Sequence, residues 1–299
     1  MSKSDPIVIG QHFVYRHYLD QWSESKKIYA YVNGKITHQT NRKYKERKDN
    51  FYKLGVPNDR EVDMLKLFFL DSRYTNNISV EFNASIINPY LKISSLYKRG
   101  DRSKDVKTFM HNAIEKIHMM IENDFDNILP RLLKKDQSCF SIDDDRMYLI
   151  VWIAVQQLRT FSVKDKILSK ITNTDFTASW PLFSLLFSYN IGLSVWMEKP
   201  QRKIFYIENN TEVEFLTTDQ PVINIDANDA ERAPDKFSWY YPITPRLALF
   251  VPEIGTHKDI SDNELTIEKV DYLNDFMIKF SGINIFSKSR KTLERYNLV

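Results

Sequence analysis

Seven glycines in 299 residues, at positions 10, 34, 55, 100, 192, 255 and 282, restrict this chain more than any other feature. A phosphate-cradling loop needs glycines a few residues apart, so that backbone N–H groups can close on the anion. No two of these lie that close, which excludes a Walker A loop and the GxGxxG turn of dinucleotide folds. CxxC, HExxH and GxSxG are absent too, removing zinc ribbons, zincins and typical α/β-hydrolases. The single cysteine, Cys139, permits no internal disulfide and fits a reducing, cytoplasmic setting. A net charge of +3 argues for no partner by itself.

The apolar patterning predicts an α+β protein, read here as a single domain over 1–299 with lobes at 1–175 and 176–299. The first lobe is mainly helical and carries an N-terminal hairpin. The second is a mostly antiparallel meander closed by a helix. Lys27–Val32 and Lys35–Thr40 flank Asn33-Gly34, the dipeptide of a type I′ hairpin turn. Asp59–Asp71 reads as a short helix capped by Asn58 or Asp59. Lys104–Leu133 is the best amphipathic helix, with Pro130 expected to kink or end it. Ser141-Ile-Asp-Asp144 resembles a capping box ahead of the buried run Met147–Val155.

The stretch Phe176–Met197 carries no charge over 22 residues. Its first half suits a buried helix, whereas Tyr189, Ile191, Leu193 and Val195 alternate like a strand, so a membrane span is not expected. Further strands are expected at Lys203–Ile207, Thr211–Leu216, Val222–Asp226, Trp239–Tyr241, Ala248–Val251 and Ile283–Phe286, with a helix over Glu264–Lys279. The N-terminus lacks the apolar core of a secretory signal.

Chemistry-bearing residues fall in four places. Gln11–Trp22 packs His12, His17, Arg16 and four aromatics into twelve residues. That suits either an imidazole acid/base site or an amphipathic anchor. Lys26–Lys53 holds nine Lys/Arg, among them Lys43 and Arg47, against Glu46 and Asp49, interleaved with Tyr29, Tyr31, Tyr44, Phe51 and Tyr52. Basic side chains with aromatic platforms suit a nucleic-acid groove, and a solvated loop would read the same. Arg159, beside Gln157 at the end of a buried run, is either an ion-pair hub or part of a polar site. Asp219 lies in Phe215-Leu-Thr-Thr-Asp-Gln-Pro-Val222, either initiating a turn or ending a buried strand as a carboxylate.

Two polar clusters read as surface. His111, Glu115, His118 and Glu122 recur at i, i+4, i+7 and i+11, opposite the apolar face of the long helix. With no second Glu-x-x-His to complete a di-metal set, they are assigned to a solvated face. The acidic Asp226–Glu231 loop lacks the glycine of a calcium loop.

Several of these stretches resemble one bacterial family. His12-Phe-Val-Tyr-Arg-His-Tyr-Leu19 through Trp22 is similar to the HYVPxxxLxxF opening of domain of unknown function 4238. Gln157-Leu-Arg159-Thr160 is similar to its QxxRT, and Phe215–Val222 resembles its FxTSDNPV. Tyr241-Pro-Ile-Thr-Pro-Arg246 resembles its PLSP element, and Leu273-Asn274 with Ile285-Phe-Ser287 its C-terminal helix and strand. Tyr15, Thr218 and Gln220 stand where that pattern has Pro, Ser and Asn. The resemblance implies a single-gene anti-phage defence protein and supplies no chemistry.

Taken with the residues, it leads to a cytoplasmic effector cutting nucleic acid. His12 or His17 is then the general acid or base, and Arg159 the cation for developing phosphate charge. Asp219 orients a histidine or holds a divalent metal, and Gln157, Thr218, Lys43 and Arg47 contact substrate. No membrane is expected. The alternative is a non-catalytic sensor that recognises a phage-encoded trigger and initiates abortive infection, with Arg159 and Asp219 as a structural pair. Hydrolysis of a small nucleotide is a third reading, without a phosphate loop.

Overall fold

The computed structural model describes residues 6–12, 14–40, 47–73, 75, 77–170, 176–199, 201–227, 236–261 and 264–298, leaving out the side chains of 10–12, 16, 47, 48, 77 and 170. Strand β1 (Gly10–His12) and helix α1 (Arg16–Asp20) precede the hairpin β2 (Lys27–Val32) and β3 (Lys35–Thr40), then β4 (Arg47–Asp49). Helices come next: α2 (Asp59–Leu70), α3 (Asn77–Lys98), α4 (Lys104–Leu133), α5 (Ser138–Ser141), α6 (Asp143–Leu158), α7 (Phe161–Lys170) and α8 (Trp180–Met197). The remainder is β5 (Phe205–Glu208), β6 (Thr217–Thr218), β7 (Ile223–Asn224), β8 (Trp239–Thr244), β9 (Leu247–Val251), α9 (Lys258–Ser261), α10 (Ile267–Phe280), β10 (Asn284–Ser287) and α11 (Arg290–Arg295).

The fold is α+β and its strand pairings are antiparallel, but the strands form two four-stranded sheets rather than one meander. One runs β3-β2-β10-β6 and the other β5-β9-β8-β7, with β1 and β4 as a separate pair. The N-terminal hairpin therefore joins the last strand, Ala30 opposite Phe286. Its turn is as the sequence predicts, with φ of 49° at Asn33 and 78° at Gly34.

Asn58 caps α2 in a complete capping box with Glu61. Glu61 is buried, and its second oxygen accepts the Ser179 N–H at 3.0 Å, so one carboxylate anchors α2 to the entry of α8. Helix α4 runs three residues past Pro130 before it ends. The expected capping box at Ser141 does not form: Ile142 is the N-cap of α6 and makes no side-chain cap bond. Helix α3 occupies a stretch for which the sequence suggests no element.

The expected break within Phe176–Met197 is absent, because α8 is one continuous helix. The alternating residues of its second half are covered on more than one side, by α6 and by Phe82 of α3, whose ring stacks on Tyr189 at 3.8 Å. Gly192 lets α8 approach α6 so closely that a Cβ there would stand 2.8 Å from the Val151 Cα. Among the described residues, no helix is long and apolar enough to cross a membrane. Thr211–Leu216, expected as a strand, is irregular, and most of the acidic loop lies outside the described residues.

An aromatic layer of the core fixes the leader segment in place. Phe125 of α4 and Trp152 of α6 stack at 4.0 Å and 5°, with Tyr15 edge-on to the indole at 5.0 Å. Trp152 Nε1 donates to the Tyr241 hydroxyl at 3.3 Å, and Tyr18 donates to the Pro242 carbonyl at 2.7 Å. Residues 15–18 are thus clamped between the helices and β8.

Candidate active site

Helix α4 has two stripes. The apolar one, including Met110, Ile114, Phe125, Ile128 and Leu132, is buried as its periodicity requires. The polar one does not face water, contrary to the sequence expectation. His118 is buried and His111, Glu115 and Glu122 are half-buried, while Met119 and Met120 are exposed. Angular spacing fixes the separation of two stripes but not what lies over each. Here Tyr52, located after β4, and Arg159, at the C-terminus of α6, cover the second stripe.

Arg159 fixes the electrostatics. Its Nη1 pairs with Glu122 Oε1 at 2.8 Å and its Nε donates to the Tyr52 hydroxyl at 3.2 Å. Burial pulls its pKa down, but Tyr52 and Glu122 together outweigh burial and hold it above its ordinary value. The Tyr52 ring meets His118 at 4.5 Å. Burial, then the Arg159 charge, drives His118 well below the usual histidine range, so its imidazole is neutral. Neither of its nitrogens has a hydrogen-bond partner among the described residues. Burial lifts the Glu115 carboxyl to about 7 against the opposing pull of Arg159, with Glu122 adding to the rise. Glu115 Oε2 has no hydrogen-bond partner among the described residues either.

One turn further along α4, about 6 Å of rise, Asp126 binds the leader segment. His17 Nδ1 lies 2.8 Å from Asp126 Oδ1, and the Tyr15 hydroxyl donates to the same oxygen. Burial, followed by Asp126, raises the Tyr15 pKa and keeps its phenol a donor. The Asp126 oxygen is an acceptor, so Nδ1 is the His17 nitrogen placed to donate to it, and Nε2 is the one left for proton exchange. The His17 side chain is 49% exposed.

The structure therefore brings two sequence-selected residues, His17 and Arg159, to one face of α4. Asp219 is 3% exposed and closes the turn between α10 and β10. Its Oδ1 accepts the Gly282 N–H at 2.8 Å and its Oδ2 the Ile283 N–H at 2.7 Å. Gly282 is required there, since a Cβ would lie 2.9 Å from Asp219 Oδ2. Burial raises the Asp219 pKa despite those N–H groups.

Gln157 and Thr218 are hydrogen-bonded within the protein. Gln157 Oε1 accepts from Trp239 Nε1 at 2.6 Å, and the buried Thr218 hydroxyl exchanges hydrogen bonds with the Gln220 backbone at 2.9 and 3.0 Å. Gln220 joins the two stretches. Its Nε2 donates to the Gln157 carbonyl at 2.8 Å, and its Oε1 accepts from the Thr160 hydroxyl. His12 lies on β1 opposite Arg47 on β4, but both side chains, and all of Lys43, are outside the described residues. Phe51 and Tyr52, expected as open stacking platforms, are buried.

Residues 10–181 and 186–291 match the family described as protein of unknown function (DUF4238). The chain belongs to the DUF4238 family. No curated protein and no solved structure matches it. The matched residues include His17, Tyr15, Glu122, Asp126 and Arg159, and also the stretches joined by Gln220.

Sequence patterning offers Tyr52 only as a stacking platform, assigns Glu115, His118 and Glu122 to a solvated face, and does not single out Tyr15 or Asp126 as site residues. The recurrence of ionisable groups from 111 to 126 on one helix is the available signal, and periodicity alone assigns it to solvent. Among the described residues, no three His, Cys, Asp or Glu side chains stand close enough together to hold a metal ion.

Proposed function

We propose that this DUF4238 chain is an anti-phage effector that cleaves nucleic acid, with His17 as its acid–base group. The observation that carries the reading is the Asp126–His17 pair, with Nδ1 bound at 2.8 Å in a side chain that is 49% exposed. A carboxylate in that position fixes the tautomer and stabilises the imidazolium formed on proton uptake. His17 Nε2 takes the proton of an attacking water or ribose hydroxyl as the new P–O bond forms. The imidazolium returns it to the departing oxygen as the old P–O bond breaks.

Arg159 supplies a fixed cation one turn away. Its carboxylate partner Glu122 is 24% exposed, so a phosphodiester could displace it from the guanidinium. Lys53 closes the basic segment and stands near enough to His111 to add to the lowering of its pKa that burial begins. That places positive charge beside the same face of α4 and favours an anionic polymer.

The test is to incubate the purified chain with labelled single-stranded RNA, single-stranded DNA and duplex DNA, with magnesium or with chelator. Cleavage of at least one substrate is expected. All three remaining intact with a chain that still protects cells from phage would overturn the nuclease reading. Arg159 and Asp219 do not form the expected pair, since Arg159 bonds Glu122 and Tyr52 and Asp219 the Gly282 and Ile283 N–H groups. The burial of both nevertheless supports a second reading, a non-catalytic sensor, whose signature is protection without cleavage.

A further inference from the structure

A second concentration of charge lies at the other end of α6. A cavity of about 390 Å³ opens there, lined by Arg146, Lys199, Arg202 and Lys203 with Gln137 and Ser141, and no carboxylate is among the described residues that line it. The neighbouring acids are taken: Asp143 by Lys199, Glu198 and Glu253 by Arg202, and Asp145 by Arg131.

Arg146 is the exception. It is 4% exposed, its Nη2 donates to the Arg202 carbonyl at 2.5 Å, and its Nε has no partner among the described residues. Burial lowers its pKa and nearby Asp143 offsets this only in part. A buried guanidinium without a bonded counter-charge is strongly unfavourable unless an anion completes it. With Nη2 bonded to the Arg202 carbonyl and Nε shielded from solvent, Arg146 lines the cavity chiefly as a fixed positive charge that favours an anion. The cavity adjoins a second one of about 380 Å³, the two sharing Gln137 and Ile204, with the Tyr206 ring in its wall. Together they hold more than an inorganic ion and fall within the size range of small-ligand sites.

We infer that this pocket binds the phosphate group of a small phosphorylated molecule, with Arg146 and Lys203 as its cations and the adjoining cavity taking the rest of the ligand. It is separate from the His17 face. Arg146 and Arg159 are thirteen residues apart on one helix, about 20 Å.

The experiment is thermal melting of the full chain titrated with inorganic phosphate, a nucleoside 5′-monophosphate and the matching nucleoside. Arg146→Met and Lys203→Ala are run alongside. Ligand that binds only the folded chain raises Tm in a saturable way. Phosphate and the nucleotide are expected to do so and the nucleoside not. Lys203→Ala should weaken the response about tenfold, and Arg146→Met should abolish it. General stabilisation by phosphate as a salt affects wild type and variants alike, so the difference between them is the readout. A response to the nucleotide alone supports the site and assigns the ligand to phosphorylated molecules that fill both cavities. No response to either phosphate, an equal response to the nucleoside, or wild-type responses from the variants would overturn it. If Arg146→Met fails to fold, Lys203→Ala, an exposed position, decides alone.

Discussion

Glu115 and His118 lie three residues apart beside one arginine, and burial moves their pKa values in opposite senses. Around pH 7 His118 is thereby neutral and Glu115 about half protonated, which lessens the cost of their unmet hydrogen-bonding capacity. The Glu115 carboxyl is raised from 4.5 to about 7, so the folded chain keeps a proton that the unfolded chain has already lost. Its contribution is full below the unfolded value and disappears as pH rises through the folded one. Glu115→Gln should therefore leave stability unchanged below about pH 5 and raise it above about pH 8, by at most ~3 kcal/mol. Urea midpoints for wild type and variant at the two pH values measure this. Asp219 makes the contrasting case. Asp219→Ala removes the acceptors of the Gly282 and Ile283 N–H groups and should lower stability by about 1–3 kcal/mol. The folded fraction should cleave substrate as wild type does, which melting curves paired with rates per folded molecule will show.

Among the elements, α6 is the one through which the rest are aligned. Its N-terminal end carries the buried Arg146, its middle packs on α8 at Gly192, and its C-terminal end presents Arg159. Gly192→Ala should push α8 off Val151 and lower stability by about 1–3 kcal/mol, read from chemical denaturation. Gln220→Ala removes the bonds to the Gln157 carbonyl and the Thr160 hydroxyl and should cost about 2–3 kcal/mol. It should also weaken substrate processing, because the end of α6 that positions Arg159 loses its anchor to β6. Local rules make several elements legible. Asn33-Gly34 marks the hairpin turn, Asn58 or Asp59 marks the start of α2, and the α4 periodicity holds for its full length. The second half of α8 is not legible because a helix covered on several sides has no polar face to reveal its period. Ser141 is not a cap because α5 ends on it.

At the scale of the molecule, the leader segment is tied to both layers. Tyr15 packs on the Phe125–Trp152 stack, Tyr18 bonds to β8, and the hairpin after it completes the sheet through β10. His17 is held where these constraints meet, which a reading of its neighbours in sequence could not show. The stretch around His17 and the position of Arg159 are legible as places of interest. Their meeting on α4 is not, because the polar stripe that receives them carries no mark of the tyrosine and arginine supplied by distant parts of the chain. The nuclease chemistry stands or falls with proton transfer by His17. The most direct measurement is the cleavage rate of His17→Gln beside wild type, with melting curves confirming that this half-exposed substitution leaves the fold intact. A loss of about 10²–10⁴ in rate at unchanged Tm is expected. A folded His17→Gln chain that cuts nucleic acid at the wild-type rate would contradict this role for His17.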